Sequence, residues 1–294
     1  MGYERALRAI HLQETDRIPN WELISNPEFE RTVTGIDPYV HPQKCALKLI
    51  EKLDLDVTAG LPLSDDPLKN RITVWKEESA KYDEEGNLVV RWGAGTTWRW
   101  NWGEGFKSVE EVLDFDPSKI KYDTYTGDLT LSVEEMARAY NRTHLKMQRL
   151  AGSRSLVMGC YYKTLFMWPL MTFGWNLFMR TVLEEPKEFR KLLDRFALIS
   201  QKVYEAWGMT DVKLMNCHDD LCTANGPVFS PEWYRRYAYP WYKKLWEPLK
   251  RKGINILFVS DGNTDLIADD IFEAGADGMF LERYSSLERM AEKY

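Results

Sequence analysis

Short, nearly continuous apolar segments alternate with longer amphipathic segments along most of the chain. The apolar segments are typical of buried parallel strands, and the amphipathic segments are typical of helices that cover such a sheet. We predict strands at residues 17–21, 56–60, 156–161, 212–217, 254–260 and 278–281. Helices are predicted at residues 2–11, 26–34, 42–53, 109–113, 132–150, 164–183, 186–207, 231–252, 264–274 and 287–293. An α/β fold with a parallel sheet is therefore expected.

Residues 71–102 follow a different pattern, in which apolar and polar side chains alternate. The runs at 72–75, 88–92 and 96–100 predict a small antiparallel insertion within a single barrel domain that spans residues 1–294. The alternation places Trp98, Trp100 and Trp102 on one face. Packing of this face on the barrel is favoured over a pocket lid, and Trp98 is a candidate for substrate binding.

Composition narrows the class of protein. The 294 residues are 44% hydrophobic, which suffices for the core of one large α/β domain. The net charge is −6 without a basic stripe, which argues against nucleic-acid binding. No leader, membrane span or CxxC pair is visible, so a cytoplasmic protein without disulfides is expected. The 12 Trp, 15 Tyr and 12 Phe indicate either an aromatic core or a pocket for a flat ligand.

Candidate functional groups follow the predicted strands, because active sites of parallel α/β folds lie at the carboxyl ends of the strands. This rule selects Asn20 and Glu22, Asp65 and Asp66, residues 161–163, residues 217–222, residues 260–263, and Glu282. The densest cluster is Cys217-His218-Asp219-Asp220-Leu221-Cys222. A histidine beside carboxylates can transfer a proton or bind a metal. The alternative is an aspartate that caps the next turn.

Strand geometry limits these candidates. Neighbouring side chains of a strand point to opposite faces, so His218 and Asp219 face the same pocket only if the strand has ended. Asp261 follows a fully apolar strand, where an unpaired carboxylate is costly. A turn-forming aspartate is the alternative for Asp261, and an ion pair with an arginine is the alternative for Glu282. Phosphate-binding loops and nucleophile elbows are absent from the sequence.

Several segments of the chain resemble the uroporphyrinogen decarboxylase-like superfamily. Residues 4–10 and 16–19 are similar to the opening of that family, and residues 218–240 are similar to its Gly-Asp-Asp segment and Ser-Pro-Glu helix. Residues 253–262 are similar to the strand that ends in His-x-Cys-Gly-Asn, and residues 273–277 to its following turn. The resemblance implies a (β/α)8 TIM barrel whose last two units are missing from this sequence. It also implies decarboxylation of a porphyrinogen or methyl transfer with a corrinoid protein, which in some members is assisted by zinc.

Two departures from the family's motifs narrow its activities. The Arg-Gln-Ala-Gly-Arg segment of the decarboxylases is missing at residues 21–26, which argues against a porphyrinogen substrate. Val259 and Asp261 stand at the histidine and cysteine positions of His-x-Cys-Gly, so activation of a thiol on zinc is not expected. We therefore expect a corrinoid-dependent methyltransferase, the O-demethylase component, which moves a methyl group from an O-methyl substrate such as a methoxylated aromatic to a corrinoid protein.

The hypothesis assigns a role to each candidate residue. Catalytic groups are Asp219, Asp261 and His218; substrate-binding groups are Tyr161, Asn20, Glu22, Asn263 and Trp98; metal ligands, with zinc as the metal to be tested, are His218, Asp220 and Glu282. The corrinoid is carried by a partner protein, and a homodimer is compatible with this organisation. The alternatives are a decarboxylase for uroporphyrinogen or another small acid, and a non-catalytic barrel that binds an aromatic ligand or a partner.

Overall fold

The computed structural model describes residues 2–24, 26–66, 102–103 and 105–294, together with the backbone of three strands between residues 80 and 99. The helices are α1 (Gly2–Ile10), α2 (Pro27–Thr34), α3 (Pro42–Leu53), α4 (Val109–Asp114), α5 (Val133–Ala151), α6 (Met167–Glu184), α7 (Pro186–Trp207), α8 (Pro231–Tyr237), α9 (Tyr239–Lys252), α10 (Ala268–Ala274) and α11 (Leu287–Lys293). In the described part of the chain, no helix combines the length and the apolar character that crossing a membrane requires.

The strands are short. They are β1 (Val57–Thr58), β2 (Ala80–Tyr82), β3 (Leu88–Trp92), β4 (Thr96–Arg99), β5 (Tyr122–Asp123), β6 (Gly127–Asp128), β7 (Leu156–Val157), β8 (Gly159–Tyr161), β9 (Leu214–His218), β10 (Cys222–Thr223), β11 (Gly226–Pro227), β12 (Asn255–Val259) and β13 (Gly278–Phe280). The chain forms two compact units. The first comprises Met1–Asn101 and Arg142–Met158, and the second comprises Trp102–Asn141 and Gly159–Tyr294.

The first unit is organised around the buried carboxylate of Asp56. This side chain is 0% exposed and pairs with Arg5 at 2.6 Å and with Arg17 at 2.8 Å. Asp56 lies just before β1, which pairs in parallel with β7. The predicted strand at residues 17–21 is not formed, because the Asn20 N–H donates to the Asp56 carboxylate at 2.7 Å and not to a strand carbonyl.

An antiparallel sheet of the order β2-β3-β4 also belongs to this first unit. Tyr82 pairs with Leu88 and Val90 pairs with Trp98 along the backbone. Strands β3 and β4 coincide with two of the three runs predicted for the insertion. The first predicted run, at residues 72–75, lies outside the described residues, and so do the side chains of Trp98 and Trp100.

The second unit contains a parallel sheet of the order β13-β12-β9-β8. Its central pair has five residues in register, from Asn255 opposite Leu214 to Val259 opposite His218. Four buried apolar side chains of this central pair join one large core: Met215, Cys217, Ile256 and Phe258. The predicted α/β fold with helices and parallel sheets is therefore confirmed, whereas the closed barrel and its two missing units stay predictions.

Proline explains one difference between predicted and observed helices. The single helix predicted for residues 231–252 is divided at Ala238 into α8 and α9. Pro240 has no N–H and therefore cannot donate to the carbonyl of residue 236, so the first helix ends and a second begins with the proline in its first turn.

Helix α6 contains a break that joins it closely to the preceding chain. Gly174 has a φ of 70°, and a Cβ at this position would lie 2.8 Å from the Trp102 carbonyl oxygen. Gly103 has a φ of 81°, and its Cβ would lie 2.4 Å from the Phe173 carbonyl oxygen. The two backbone segments therefore touch at a point with no room for a side chain on either glycine.

Candidate functional site

The register of the parallel sheet brings together polar residues that follow three strands. His218 is the last residue of β9 and lies opposite Val259, the last residue of β12. Asp220 and Asp261 each come two residues later in their own segments, so they emerge at the same edge of the sheet. Tyr162 follows directly after β8, which pairs with β9 on its other side. The sequence thus delivers one imidazole, two carboxylates and one phenol to one edge, as the strand-end rule predicts.

His218, Asp220 and Asp261 form a compact group, which we call the acidic triad. The His218 Nε2 and Asp220 Oδ1 atoms lie 2.7 Å apart. The Asp261 N–H donates to the same Asp220 oxygen at 3.1 Å. One ligand atom from each of the three side chains lies within 4.8 Å of the other two. An imidazole and two carboxylates at this spacing form a mixed nitrogen and oxygen donor set that fits a zinc ion.

The two carboxylates of the acidic triad have pKa values that shift in opposite directions. Burial acts to raise the pKa of Asp220, but hydrogen bonds from His218 and from the Asp261 N–H outweigh it and lower the pKa. Burial raises the pKa of Asp261, and the negative charge of Asp220 raises it further. Two neighbouring carboxyls with pKa values moved apart are suited to distinct roles, one as a permanent anion and one as a proton donor.

A pair of stacked tyrosine rings borders the acidic triad. Tyr162 donates its hydroxyl proton to Asp220 Oδ2 at 3.1 Å, and its ring meets the His218 ring edge-on at 4.3 Å. Tyr125 stacks on Tyr162 with 4.7 Å between ring centroids. Burial raises the pKa of the Tyr162 hydroxyl, so this group remains a donor at neutral pH. The rings of Tyr125 and Tyr162, which we call the tyrosine wall, form an apolar surface beside the charged groups.

A buried ion pair supports the tyrosine wall from behind. Lys163 is 9% exposed and its Nζ pairs with Asp123, which is 7% exposed. The ammonium group lies 4.5 Å from the Trp168 ring centroid and 5.3 Å from that of Tyr125. The other Asp123 oxygen accepts the N–H of Tyr125. The pair therefore fixes the backbone of Tyr125 and provides a cation–π contact to its ring.

Asp219 occupies a different place from the one predicted. Its side chain is 0% exposed and accepts hydrogen bonds at 2.7–2.8 Å from the N–H groups of Leu165, Phe166 and Met167. Tyr242 donates a fourth hydrogen bond. Burial raises the pKa of Asp219 to about 6, although these hydrogen bonds act to lower it. The hypothesis required Asp219 to protonate a substrate. A carboxylate that is enclosed and fully paired at the start of α6 is not placed to do so.

Three other predicted residues of the second unit have structural contacts. Tyr161 is 1% exposed, and its hydroxyl lies in the core beside Ser200 and Trp168, so its neighbour Tyr162 takes the expected position at the site. Asn263 uses its side-chain oxygen to accept the N–H of Asp265. Glu282 accepts the N–H of Gly262 at 2.7 Å and is not part of the acidic triad, where Asp261 is the third member.

The remaining predicted residues belong to the first unit. Asn20 binds the Leu53 carbonyl through its side-chain amide. Glu22 lines a cavity in that unit. The Trp98 side chain lies outside the described residues.

Sequence reasoning missed Tyr125 and Asp123, since they precede the strand–helix alternation that was searched and lie in the short hairpin of β5 and β6. Only the run of turn-forming and aromatic residues at 122–128 could have signalled them.

Comparison with known proteins supports the fold and the family. The sequence model of uroporphyrinogen decarboxylase (URO-D) matches residues 170–294, which contain the whole acidic triad. A methyltransferase from Methanosarcina mazei has a similar structure, with a TM-score of 0.56 and 13% sequence identity over 95% of this chain and 75% of that one. No curated protein sequence matches the chain. The predicted resemblance is thereby confirmed, since residues 170–294 are similar to the uroporphyrinogen decarboxylase family.

Proposed function

We propose that the protein is a methyltransferase that moves a methyl group from an O-methyl compound to the corrinoid of a separate protein. The observation that carries the proposal is the acidic triad of His218, Asp220 and Asp261, which places a proton donor beside a fixed anion and an imidazole. Demethylation of an ether requires the leaving oxygen to be protonated or bound by a Lewis acid, and both demands suit this group of side chains.

Asp261 is the proposed proton donor. Its raised pKa keeps more of the carboxyl protonated than an ordinary aspartate, and it is the exposed member of the triad. When the bond between the methyl carbon and oxygen breaks, the electron pair remains on oxygen and the Asp261 proton neutralises it as a hydroxyl. The sequence hypothesis assigned proton donation to Asp219 and Asp261 together, and we now propose Asp261 alone.

Asp220 and His218 are the proposed orienting groups. Asp220 accepts from Tyr162 and from the Asp261 N–H, so it fixes both neighbours while it stays ionised. His218, Asp220 and Asp261 would hold a zinc ion if one binds. The metal would then supply Lewis acidity toward the substrate oxygen in place of the Asp261 proton, because a carboxylate that binds a metal is deprotonated.

An aromatic methyl donor is supported by the tyrosine wall. Tyr162 and Tyr125 are half-buried, and the accessible parts of their rings lie beside the acidic triad, where they would offer aromatic contact to a flat ring. Asn216 lies two residues before His218 on β9 and therefore on the same face of the strand. Its side-chain oxygen is buried and has no hydrogen-bond partner among the described residues, so it is available to a donor group of the substrate.

The proposed methyl acceptor is a corrinoid carried by a partner protein, as the family resemblance implies. The methyltransferase of Methanosarcina mazei shares the fold, and the superfamily resemblance implies a corrinoid partner. When bound, the corrinoid supplies the nucleophilic cobalt that accepts the methyl group. The residues of this chain bind the donor, orient it and supply the proton.

The test mixes the protein with reduced cobalamin and a panel of methoxybenzoates, and follows the cobalt spectrum as the methylated form appears. We expect Asp261→Asn to lower the rate by about 100-fold or more, as loss of a general acid does. The control is Glu247→Gln, an exposed carboxyl of α9. An unchanged cobalt spectrum with every donor would sink the proposal, and release of carbon dioxide from a small acid would favour a decarboxylase.

A further inference from the structure

The first unit contains a cavity of about 530 Å³, and no residue of the acidic triad lines it. Its wall is formed largely by aliphatic side chains from α3, from the turn between α3 and β1 and from the segment after β1, among them Leu49, Ile50, Leu55 and Leu61. Among the described residues of the lining, Glu22 and Glu30 are the only charged ones, and none is a lysine, arginine or histidine.

Glu30 is the unusual member of this lining. The residue lies on α2 and is only 7% exposed. Its side chain accepts one weak hydrogen bond, from the Cys45 thiol, whose Sγ lies 4.0 Å from Oε2. Among the described residues, no ion pair neutralises it, whereas its helix neighbour Glu28 pairs with Arg31 at 2.7 Å. A carboxylate held away from water without a cation is costly and tends to acquire either a proton or a positive partner.

A proton neutralises the Glu30 carboxylate only at the lower end of the physiological pH range. Burial raises the pKa of Glu30 to about 7, so the carboxylate dominates at pH 8. An external cation then becomes the remaining means of neutralising the charge. The aliphatic wall selects for a cation with an apolar body, since a hydrated metal ion would gain nothing from contact with leucine and isoleucine.

We infer that this cavity is a binding site for an aliphatic ammonium ion, with the Glu30 carboxylate as counter-ion and the aliphatic wall around the alkyl chain. The site does not depend on the proposed methyl transfer, because none of its residues belongs to the acidic triad. Glu22, which is exposed at the lining, adds a second negative charge that favours a cation over a neutral or anionic molecule.

Calorimetric titration at pH 8 with hexylammonium chloride and with n-hexanol tests the inference. The two probes have nearly the same shape and differ mainly in charge. We expect the ammonium ion to bind the natural protein at least about tenfold more tightly than the alcohol. In Glu30→Gln the preference should fall to about threefold or less, because the amide keeps the shape and removes the charge. The control, Glu28→Gln, changes an exposed carboxyl on the same helix and should keep the preference.

A second variant separates charge from space. Ala46 lines the cavity from α3, and Ala46→Ile should weaken both probes by filling part of the volume while Glu30 stays in place. Equal affinities for the two probes, binding of neither, or a preference that survives in Glu30→Gln would each overturn the inference. Loss of the preference in Glu28→Gln to the same extent would also overturn it.

Discussion

The hydroxyl of Tyr242 donates to Asp219 Oδ2 at 2.6 Å in a fully buried contact between α9 and the chain that follows β9. Three backbone N–H groups at the start of α6 converge on the same carboxylate. One side chain thus holds a strand end, a helix start and a second helix in place. Asp219 is therefore best understood as the residue that positions its neighbours His218 and Asp220.

Asp219→Asn should destabilise the protein by about 2–4 kcal/mol, because the amide replaces one of two oxygens that together accept four hydrogen bonds with an N–H donor. Tyr242→Phe removes only one donor, and we expect a cost of about 1–2 kcal/mol. Urea unfolding followed by circular dichroism gives both values. Retention of full stability in Asp219→Asn, together with loss of methyl transfer, would restore the catalytic role predicted from the sequence.

Methyl transfer should decline as the pH rises, if Asp261 donates the proton. Its pKa is raised, so the protonated form persists to a higher pH than in an ordinary aspartate and is then lost. The rate of cobalt methylation, measured from pH 5 to 9 under single-turnover conditions, should show this fall, and Asp261→Asn should give a low and flat profile. A natural profile that rises over the same interval would assign the acid to another group.

Cobalt(II) should bind the acidic triad and report on it through its visible absorption bands. His218→Ala removes the nitrogen ligand, and we expect the affinity to fall by about 10-fold to 100-fold. Glu282→Gln leaves all three triad members in place and serves as the comparison. Equal affinity in the natural protein and in His218→Ala would remove the metal from the mechanism, and a loss in Glu282→Gln would return Glu282 to the ligand set.

Gly262→Ala should displace the loop that carries Asp261. Gly262 has a φ of 87°, and an added Cβ would lie 2.4 Å from the Thr223 carbonyl oxygen. The conformational strain and the close contact together should cost about 2–4 kcal/mol and lower the rate of methyl transfer. Thermal unfolding and activity measure the two effects. Gly60→Ala, at a glycine with open space around its Cβ position, provides the comparison.

The stability of the first unit should depend on pH through Glu30. Its pKa is about 7 in the folded protein against an ordinary value of 4.5, so the folded state binds more protons between these two values. The free energy of unfolding therefore falls as the pH rises from about 4.5 to 7 and the contribution is fully lost above 7. Between pH 4.5 and pH 8, the free energy of unfolding of Glu30→Gln should increase by about 1–3 kcal/mol relative to that of the natural protein. A difference between the two proteins that does not vary with pH would contradict this assignment.

The strand ends and the alternation of side chains were sufficient to place His218, Asp220 and Asp261 at one edge of the sheet. They were insufficient to decide which neighbour faces that edge, because the role of Asp219 depends on three N–H groups located more than fifty residues earlier in the sequence. The sequence likewise did not distinguish Tyr161 from Tyr162. The structure shows that Tyr161 packs in the core beside Ser200, which leaves Tyr162 at the site. Contacts between distant segments leave no local pattern in the sequence. The sequence therefore predicted the position of the site, but it did not predict all of the side chains that form it.

The paired glycines Gly103 and Gly174 have a consequence beyond this molecule. Their backbones meet without an intervening atom, so neither position tolerates a larger residue unless both segments move. A chain that keeps this junction is therefore expected to have glycine at both places, whatever ligand it binds. The pair offers a sequence marker for proteins that share this particular architecture even when their catalytic residues have diverged.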